Sequence, residues 1–319
     1  MNLSNYNKTY LERKAKYMGF IRDTLEKVLR LADILEYFNT NPLLSETLAL
    51  KGGTAINLTI FNLPRLSVDI DLDYLKTDSR DDMLKNREKI NSVIDRFMAS
   101  QGYNKSPKSK TPYSLDSWVY KYTNTGGNLD NIKIEINYSL RSHILCAEER
   151  SIITEYFSSN YKIKTLAPIE IYASKINALF NRAAARDLYD IRNMIEFGLF
   201  DEGEEPLLKK GVIFYAAISS KNINKKFDTK AIDSITTYKI KTDLLPVIGS
   251  NNNFNLNVAK KIVKEYIFDL MILEKNEIEF LERFENKEYA PNLLFDDQEI
   301  LARIKAHPMA LWKTKYRKN

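Results

Sequence analysis

Two aspartates, Asp69 and Asp71, stand two positions apart in a segment where they alternate with Val68, Ile70 and Leu72. In a β-strand, residues i and i+2 share one face, so both carboxylates aim at the same point while the apolar residues face a core. Neighbouring carboxylates repel each other unless a cation neutralises them. Mg²⁺ suits such a pair, because it takes one or two carboxylates together with waters and phosphate oxygens. An isolated Asp-x-Asp is more often a turn or a solvated strand face, so the context must decide.

That context is a glycine pair, in the sequence Lys51-Gly52-Gly53-Thr54, which ends 15 residues before Asp69. Glycine lets the backbone approach a phosphate closely, and the N–H groups at a helix N-terminus attract an anion. We expect the two glycines and Thr54 to bind a triphosphate through backbone N–H groups and one hydroxyl, and Lys51 to pair with phosphate. The alternative is that the glycines only break a helix, with Thr54 as an N-cap and Lys51 solvated.

A two-metal site generally needs a third carboxylate from a neighbouring strand. Residues 131–138 alternate clearly, and Glu135 projects from their polar face, so we predict that Glu135 is a metal ligand. The alternative is that Glu135 pairs with Lys133 or lies exposed at an edge. Arg65 and Ser67 stand in the loop before the aspartates and are expected to approach the same site.

The N-terminal half of the chain is predicted to contain both helices and strands, and the C-terminal half is predicted to be helical. In the N-terminal half, hydrophobic periodicity predicts helices over 9–38 and 80–101, a helix over 44–60 broken at its glycine pair, and strands over 67–75, 115–122 and 131–138. A Gly-Gly segment at 124–131 predicts a hairpin turn. Further helices are predicted from Pro168 through Phe180 and over 188–195, 206–218, 257–286 and 297–313. The pattern predicts an α+β lobe followed by a mostly helical lobe, with a boundary near residue 165.

Composition narrows the chemistry. The chain has 319 residues, with one cysteine and two histidines. These are few residues for a zinc site or for catalysis by a Cys/His or Ser/His pair. It has no apolar run of membrane-spanning length and no signal-peptide pattern, so we expect a cytoplasmic protein without a membrane partner. Carboxylate and lysine chemistry is what this composition favours.

The net charge of +6 and the pI near 9.0 favour an anionic partner. Basic residues are partly clustered, and any single cluster is more often a solvated surface. Together with a site for phosphates they make RNA a reasonable substrate. The clusters are Lys105, Lys108 and Lys110, then Lys221, Lys225 and Lys226, and the C-terminal residues 312–319.

The residues from Lys51 to Asp73, with Gly-Gly-Thr followed by Arg-x-Ser-x-Asp-Ile-Asp-Leu, resemble the polymerase-β-like nucleotidyltransferase superfamily. Within it they are most similar to the AbiEii/AbiGii toxin group, which includes the MenT nucleotidyltransferase toxins. In that group a hydroxyl at the position of Ser67 lies beside the metal ligands and can be modified by an antitoxin partner. Ser67 shares its face with Asp69, which is consistent with that placement.

Residues 173–190 resemble the family's later motif, a lysine on one helix followed by Arg-Asp-x-x-Asp at the start of the next. The resemblance implies that Lys175 contacts the nucleotide phosphates and that Asp187 orients this lysine or the nucleophile. Lys175 falls on an otherwise apolar helix, where a lysine is unfavourable unless its ammonium group reaches an anion. The alternative for Arg186 and Asp190 is a surface pair at i,i+4 spacing.

The resemblance implies a nucleotidyltransferase catalytic domain over residues 1–165, with a small mixed sheet, and a helical domain over 166–319 that closes the active-site cleft. It further implies a toxin of a bacterial toxin–antitoxin or phage-defence pair, with a cognate antitoxin. Such an enzyme transfers NMP from an NTP to the 3′ end of tRNA with Mg²⁺ and blocks translation. Two alternatives stay open: nucleotidylation of a protein hydroxyl, and a non-catalytic nucleotide-binding protein, against which the intact Asp69/Asp71 pair argues.

Overall fold

The computed structural model describes residues 7–153, 161–219 and 226–316, and the chain divides into two compact units. The first unit is drawn from Met1–Arg141, Ala147–Leu166 and Val247–Asn252, and the second from Ser142–Cys146, Ala167–Pro246 and Asn253–Asn319. Of the basic residues in the predicted clusters, Lys221, Lys225, Arg317 and Lys318 lie outside the described residues. Within the described part, no helix is long and apolar enough to cross a membrane.

The first unit contains a seven-stranded mixed sheet, which confirms the α+β fold class. The strand order is β3-β4-β5-β2-β1-β7-β6. The central strand β2 pairs antiparallel with β1 on one side and parallel with β5 on the other. The strands are β1 (Leu48–Lys51), β2 (Asp69–Tyr74), β3 (Asn104–Lys105), β4 (Leu115–Thr123), β5 (Leu129–Asn137), β6 (Glu148–Ser151) and β7 (Lys162–Thr165).

Among the residues described, five α-helices accompany this sheet, and their ends follow local sequence signals. The helix predicted over 9–38 is two helices, because Gly19 adopts a left-handed conformation with φ 73° and ends the first. Ser79 caps the N-terminus of the longest helix by accepting from the Asp82 backbone N–H. The helices are α1 (Lys8–Met18), α2 (Arg22–Thr40), α3 (Pro42–Thr47), α4 (Gly52–Ala55) and α5 (Arg80–Ser100).

The helix predicted over 44–60 is wrong in its middle. The structure has α3, then strand β1, then α4, which continues as a π-helical turn over Ile56–Ile60. Leu48, Ala49 and Leu50 are buried, and their strand pairs with both β2 and β7. A short apolar run satisfies a buried strand as well as a buried helix, and here the sheet partners decide.

The second unit is helical among the residues described. The single helix predicted over 257–286 is two helices, separated by residues 271–274. The helices are α6 (Pro168–Arg182), α7 (Ala185–Glu196), α8 (Glu205–Ser219), α9 (Lys230–Asp233), α10 (Thr237–Lys239), α11 (Leu256–Leu270), α12 (Lys275–Glu285), α13 (Gln298–Ile304) and α14 (Pro308–Leu311). π-helical turns follow α10 at Ile240–Leu244 and α14 at Trp312–Tyr316.

Candidate active site

Strand β2 presents Asp69 and Asp71 on one face of the sheet. Both side chains are half-buried, whereas Ile70 and Leu72 on the opposite face are buried in the core. The register places Asp71 beside Lys51 of β1 and Glu135 of β5. Alternation along the strand therefore produces the paired carboxylates that the sequence predicts.

The electrostatic environment of Asp71 is that of a crowded acidic site. Burial is the largest cause that raises the pKa of Asp71, to about 6 from its ordinary value of 3.8. The ammonium group of Lys51 opposes this rise, whereas the charges of Asp69 and Glu135 add to it. Three carboxylates therefore influence one another here, an arrangement that a bound cation would relieve.

Glu135 has a defined neighbour in the structure. Its Oε1 lies 3.0 Å from the Lys133 Nζ, which is the pairing considered as the alternative to metal binding. Among the residues that the structure describes, no group of three or more His, Cys, Asp or Glu side chains is arranged to hold a metal ion. The role of Glu135 as a ligand thus stays a prediction. Asp69 and Asp71 alone fit Mg²⁺, which needs one or two protein carboxylates when phosphate oxygens complete its shell.

Each glycine of the motif lies where an added Cβ would meet a neighbouring side chain. Gly52 has φ +68°, and a Cβ added there would lie 2.7 Å from the Oδ2 of Asp71. A Cβ added at Gly53 would lie 2.6 Å from Arg65 Nη2 and 2.9 Å from Ser67 Oγ. The glycine turn therefore touches the carboxylate on one side and the Arg65–Ser67 loop on the other, and it brings together residues that the sequence assigned to one site.

Thr54 and Lys51 have other partners than those expected. The hydroxyl of Thr54 is buried and donates to the backbone carbonyl of Asp69, and its contact with phosphate stays a prediction. Thr54 also lies inside α4, which begins at Gly52, and is not its N-cap. Lys51 Nζ forms an ion pair with Asp73, a partner that the sequence does not predict. These contacts tie the glycine turn to β2.

Asn57 is a site residue that the sequence reasoning missed. Its Nδ2 donates to the Gly53 carbonyl at 2.6 Å, and its Oδ1 accepts from the Arg65 backbone N–H at 3.2 Å. Arg65 itself is buried, and its Nη1 donates to the Leu66 carbonyl at 3.0 Å. The available signal was one asparagine within the apolar run Ile56–Ile60, because a buried amide must find hydrogen-bond partners.

The second constellation forms a buried charge cluster within the helical unit. Lys175 Nζ lies 3.1 Å from Asp187 Oδ1 and 2.8 Å from Asp190 Oδ2. Arg182 also donates to Asp187, through Nε at 2.7 Å and Nη2 at 3.0 Å. Burial works to raise the pKa of Asp187, but Lys175 and Arg182 outweigh it and lower that pKa below its ordinary value.

The surface pair considered for Arg186 and Asp190 is wrong. Arg186 Nε donates to the backbone carbonyl of Asp243 at 2.9 Å. Asp190 is buried and holds Lys175 instead. The i,i+4 spacing allows a pair, but the burial of one member directs it to the interior partner.

Comparisons with known proteins identify the family and the fold of this chain. The family model described as "Nucleotidyl transferase AbiEii toxin, Type IV TA system" matches residues 33–248, about two thirds of the chain. In structure the chain is similar to MenT4, a nucleotidyltransferase toxin from Mycobacterium tuberculosis H37Rv, with a TM-score of 0.63 and 15% identity over 96% of this chain and 99% of that chain. That likeness concerns the fold. No curated protein matches the sequence significantly.

Proposed function

Because this chain belongs to the AbiEii nucleotidyltransferase toxin family of type IV toxin–antitoxin systems, we propose that it transfers NMP from an NTP to the 3′ end of tRNA. The reaction depends on Mg²⁺ and blocks translation. The observation that carries this proposal is the pair of carboxylates, Asp69 and Asp71, on one face of β2 with the Gly52 turn against Asp71. Family membership implies an antitoxin partner, and we place the reaction in the cytoplasm, where tRNA is found.

In the proposed reaction the 3′-hydroxyl oxygen of the RNA forms a bond to the α-phosphorus, the bond to the leaving pyrophosphate breaks, and the hydroxyl proton passes to water. When bound, Mg²⁺ supplies positive charge that orients the phosphates and stabilises the charge on the leaving group. Asp69 and Asp71 hold that cation, with Glu135 as a further proposed ligand. The backbone at Gly52 and Gly53 leaves room for phosphate beside the Asp71 carboxylate.

Arg65 and Ser67 support the same site from the loop, since both contact the position that a Gly53 side chain would fill. The guanidinium of Arg65 is held in place by the Leu66 carbonyl and adds positive charge beside the proposed phosphate position. We also propose that Lys175 contacts the phosphates and that Asp187 orients it. Two carboxylates hold this buried lysine, which favours a fixed position for its ammonium group. Closure of the cleft by residues 166–319 is part of the same proposal.

Labelled transfer tests the proposed reaction and separates it from its alternatives. Each of the four NTPs, labelled at the α-phosphate, is incubated with the protein and Mg²⁺, together with total tRNA or with an RNA-depleted lysate. We expect label on tRNA, no label when periodate has oxidised the 3′-terminal diol, and none with Asp69→Asn. Label on protein would show that the acceptor is a protein hydroxyl and not tRNA. Tight NTP binding without any transfer would contradict catalysis.

Growth arrest provides the corresponding test in cells. Expression of the wild-type chain without its antitoxin should stop growth, and Asp69→Ala should abolish the effect because the carboxylate pair is broken. Persistent toxicity of that variant at equal expression would contradict a toxic role for nucleotide transfer.

A further inference from the structure

Helix α1 carries a surface of cations and aromatic rings that the proposed reaction does not use. We name this the α1 surface and define it by Lys8, Tyr10, Arg13, Lys14, Lys16 and Tyr17. Tyr10 is 45% exposed and Tyr17 is 80% exposed, whereas Leu11 and Ala15 on the opposite side of the helix are buried. We propose that the α1 surface binds the RNA substrate, through its phosphates and by stacking of unpaired bases on the tyrosines. This inference rests on the proposed transfer to RNA.

The charge of the helix supports an anionic ligand. Its eleven residues contain four cations and a single carboxylate, Glu12, which gives a net charge of +3. Glu12 Oε1 lies 3.9 Å from Lys8 Nζ and 3.6 Å from Arg22 Nη1, so the carboxylate is itself surrounded by cations. Such a surface binds the phosphates of a nucleic acid whatever its base sequence, and the affinity then depends strongly on the salt concentration.

The aromatic residues distinguish RNA from other anions. The Lys14 Nζ lies 5.4 Å from the centre of the Tyr10 ring and donates to the Tyr10 hydroxyl at 3.2 Å, so a cation and a ring are already adjacent. Exposed aromatic side chains interleaved with Lys and Arg are the features on which single-stranded nucleic acids stack. A membrane-surface helix would turn an apolar face outward, but the apolar residues Leu11 and Ala15 face the core.

The position of α1 is fixed relative to the Arg65 loop within the first unit. Ser250 N–H donates to the Gly19 carbonyl at 2.8 Å, directly after the end of α1. Two residues earlier, Ile248 forms an antiparallel bridge with Arg65, and Leu66 N–H donates to the Val247 carbonyl at 2.6 Å. A segment of two residues spans at most about 7 Å, so α1 ends within about 20 Å of the Arg65 backbone. The C-terminal end of α1, with Lys16 and Tyr17, is therefore within reach of an RNA whose 3′ end lies at the glycine turn that Arg65 contacts.

Binding of total tRNA, labelled with fluorescein at its 5′ ends, tests this surface by fluorescence anisotropy without NTP. The test variants are Tyr10→Ala/Tyr17→Ala and Arg13→Ala/Lys16→Ala. Matched controls remove an exposed aromatic ring with Phe268→Ala and two exposed cations with Lys230→Ala/Lys261→Ala, all in the second unit. Thermal unfolding verifies that each variant is folded, and the exposed positions should shift Tm little.

We expect the tyrosine pair to weaken tRNA binding at least about 5-fold, because a stacked base contributes roughly 1 kcal/mol or more. The charge pair should reduce the slope of log K against log salt by about 1.4, for two lost phosphate contacts. The two controls should bind as the wild type does. In the labelled transfer assay the α1 variants should raise the KM for tRNA and leave the KM for NTP unchanged.

Three results would overturn the inference. If both α1 variants bound tRNA with wild-type affinity, the α1 surface would not be part of the RNA-binding site. If the Arg13→Ala/Lys16→Ala variant bound tRNA more weakly and the Tyr10→Ala/Tyr17→Ala variant did not, base stacking would be excluded. If both variants lost as much affinity for fluorescein-labelled polyglutamate as for tRNA, the surface would bind anions or acidic proteins in general. Failure of the proposed function is seen separately, as absence of label on tRNA in the wild type, whereas failure of this inference leaves that label in place.

Discussion

Replacement of Gly52 by alanine tests whether the position of the Asp71 carboxylate determines catalysis. The added Cβ would lie 2.7 Å from Asp71 Oδ2, whereas an ordinary contact begins at 3.4 Å. The carboxylate oxygen must therefore move by about 0.7 Å. Because a misplacement of about 1 Å can reduce a rate on the order of 100-fold, we expect kcat/KM to fall at least about 10-fold.

The same substitution also strains the backbone, which requires a control. Gly52 has φ +68°, a conformation that destabilises an L-residue by about 1–2 kcal/mol. Gly102 has φ +80°, and no heavy atom of the described residues lies within 4 Å of a Cβ added there. Gly102→Ala therefore introduces similar strain without touching the carboxylate.

The assay compares both variants with the wild type, by thermal unfolding and by initial rates of labelled NMP transfer. We expect similar losses of stability in the two variants, with the large loss of kcat/KM confined to Gly52→Ala. If Gly52→Ala transferred NMP within twofold of Gly102→Ala, the position of the Asp71 carboxylate would not matter to the reaction, and the reasoning would be refuted.

Three further predictions concern stability. Without metal, Asp71→Asn should raise Tm at pH 8 and leave it unchanged at pH 3, because the raised pKa of Asp71, about 6 instead of 3.8, means that its ionised form destabilises the fold as pH rises through this range. At 1.36 kcal/mol per pKa unit, the gain in the free energy of unfolding is up to about 3 kcal/mol. An unchanged Tm at pH 8 would contradict this prediction. Thr54→Val, which keeps the shape of the side chain, should destabilise by about 1 kcal/mol in urea unfolding, because the hydrogen bond to the Asp69 carbonyl is lost. An unchanged free energy of unfolding would contradict a stabilising role for that bond. Asp187→Leu should destabilise by about 3 kcal/mol or more in the same assay, because Lys175 stays buried with one of its two carboxylates removed, and a neutral effect would show that the pair is dispensable.

The sequence predicted the central strand and the placement of its two carboxylates on one face. Asp69 and Asp71 alternate with apolar residues at a period of two, which is the period of a strand. The α+β fold class, the nucleotidyltransferase class and the toxin family are confirmed. Motif spacing also placed Arg65 and Ser67 together, since both meet at Gly53.

The partners of individual side chains could not be predicted in the same way. Lys51 pairs with Asp73 only because β1 lies antiparallel to β2, and β1 itself was hidden in a short apolar run. Asp190 pairs with Lys175 on another helix, because burial rather than helical spacing decides its partner. Register and helix packing depend on the whole fold, and a single local pattern carries neither.

Calorimetric titration of Mg²⁺–NTP tests most directly whether Asp69 and Asp71 act together. The wild type, Asp69→Asn, Asp71→Asn and the double variant are compared, each first shown to be folded by thermal unfolding. If both carboxylates hold one cation on the triphosphate, each single variant should lose at least about 10-fold in affinity, and the double variant should lose less than the product of the two. Binding of Mg²⁺–NTP with wild-type affinity by all three variants would contradict the account.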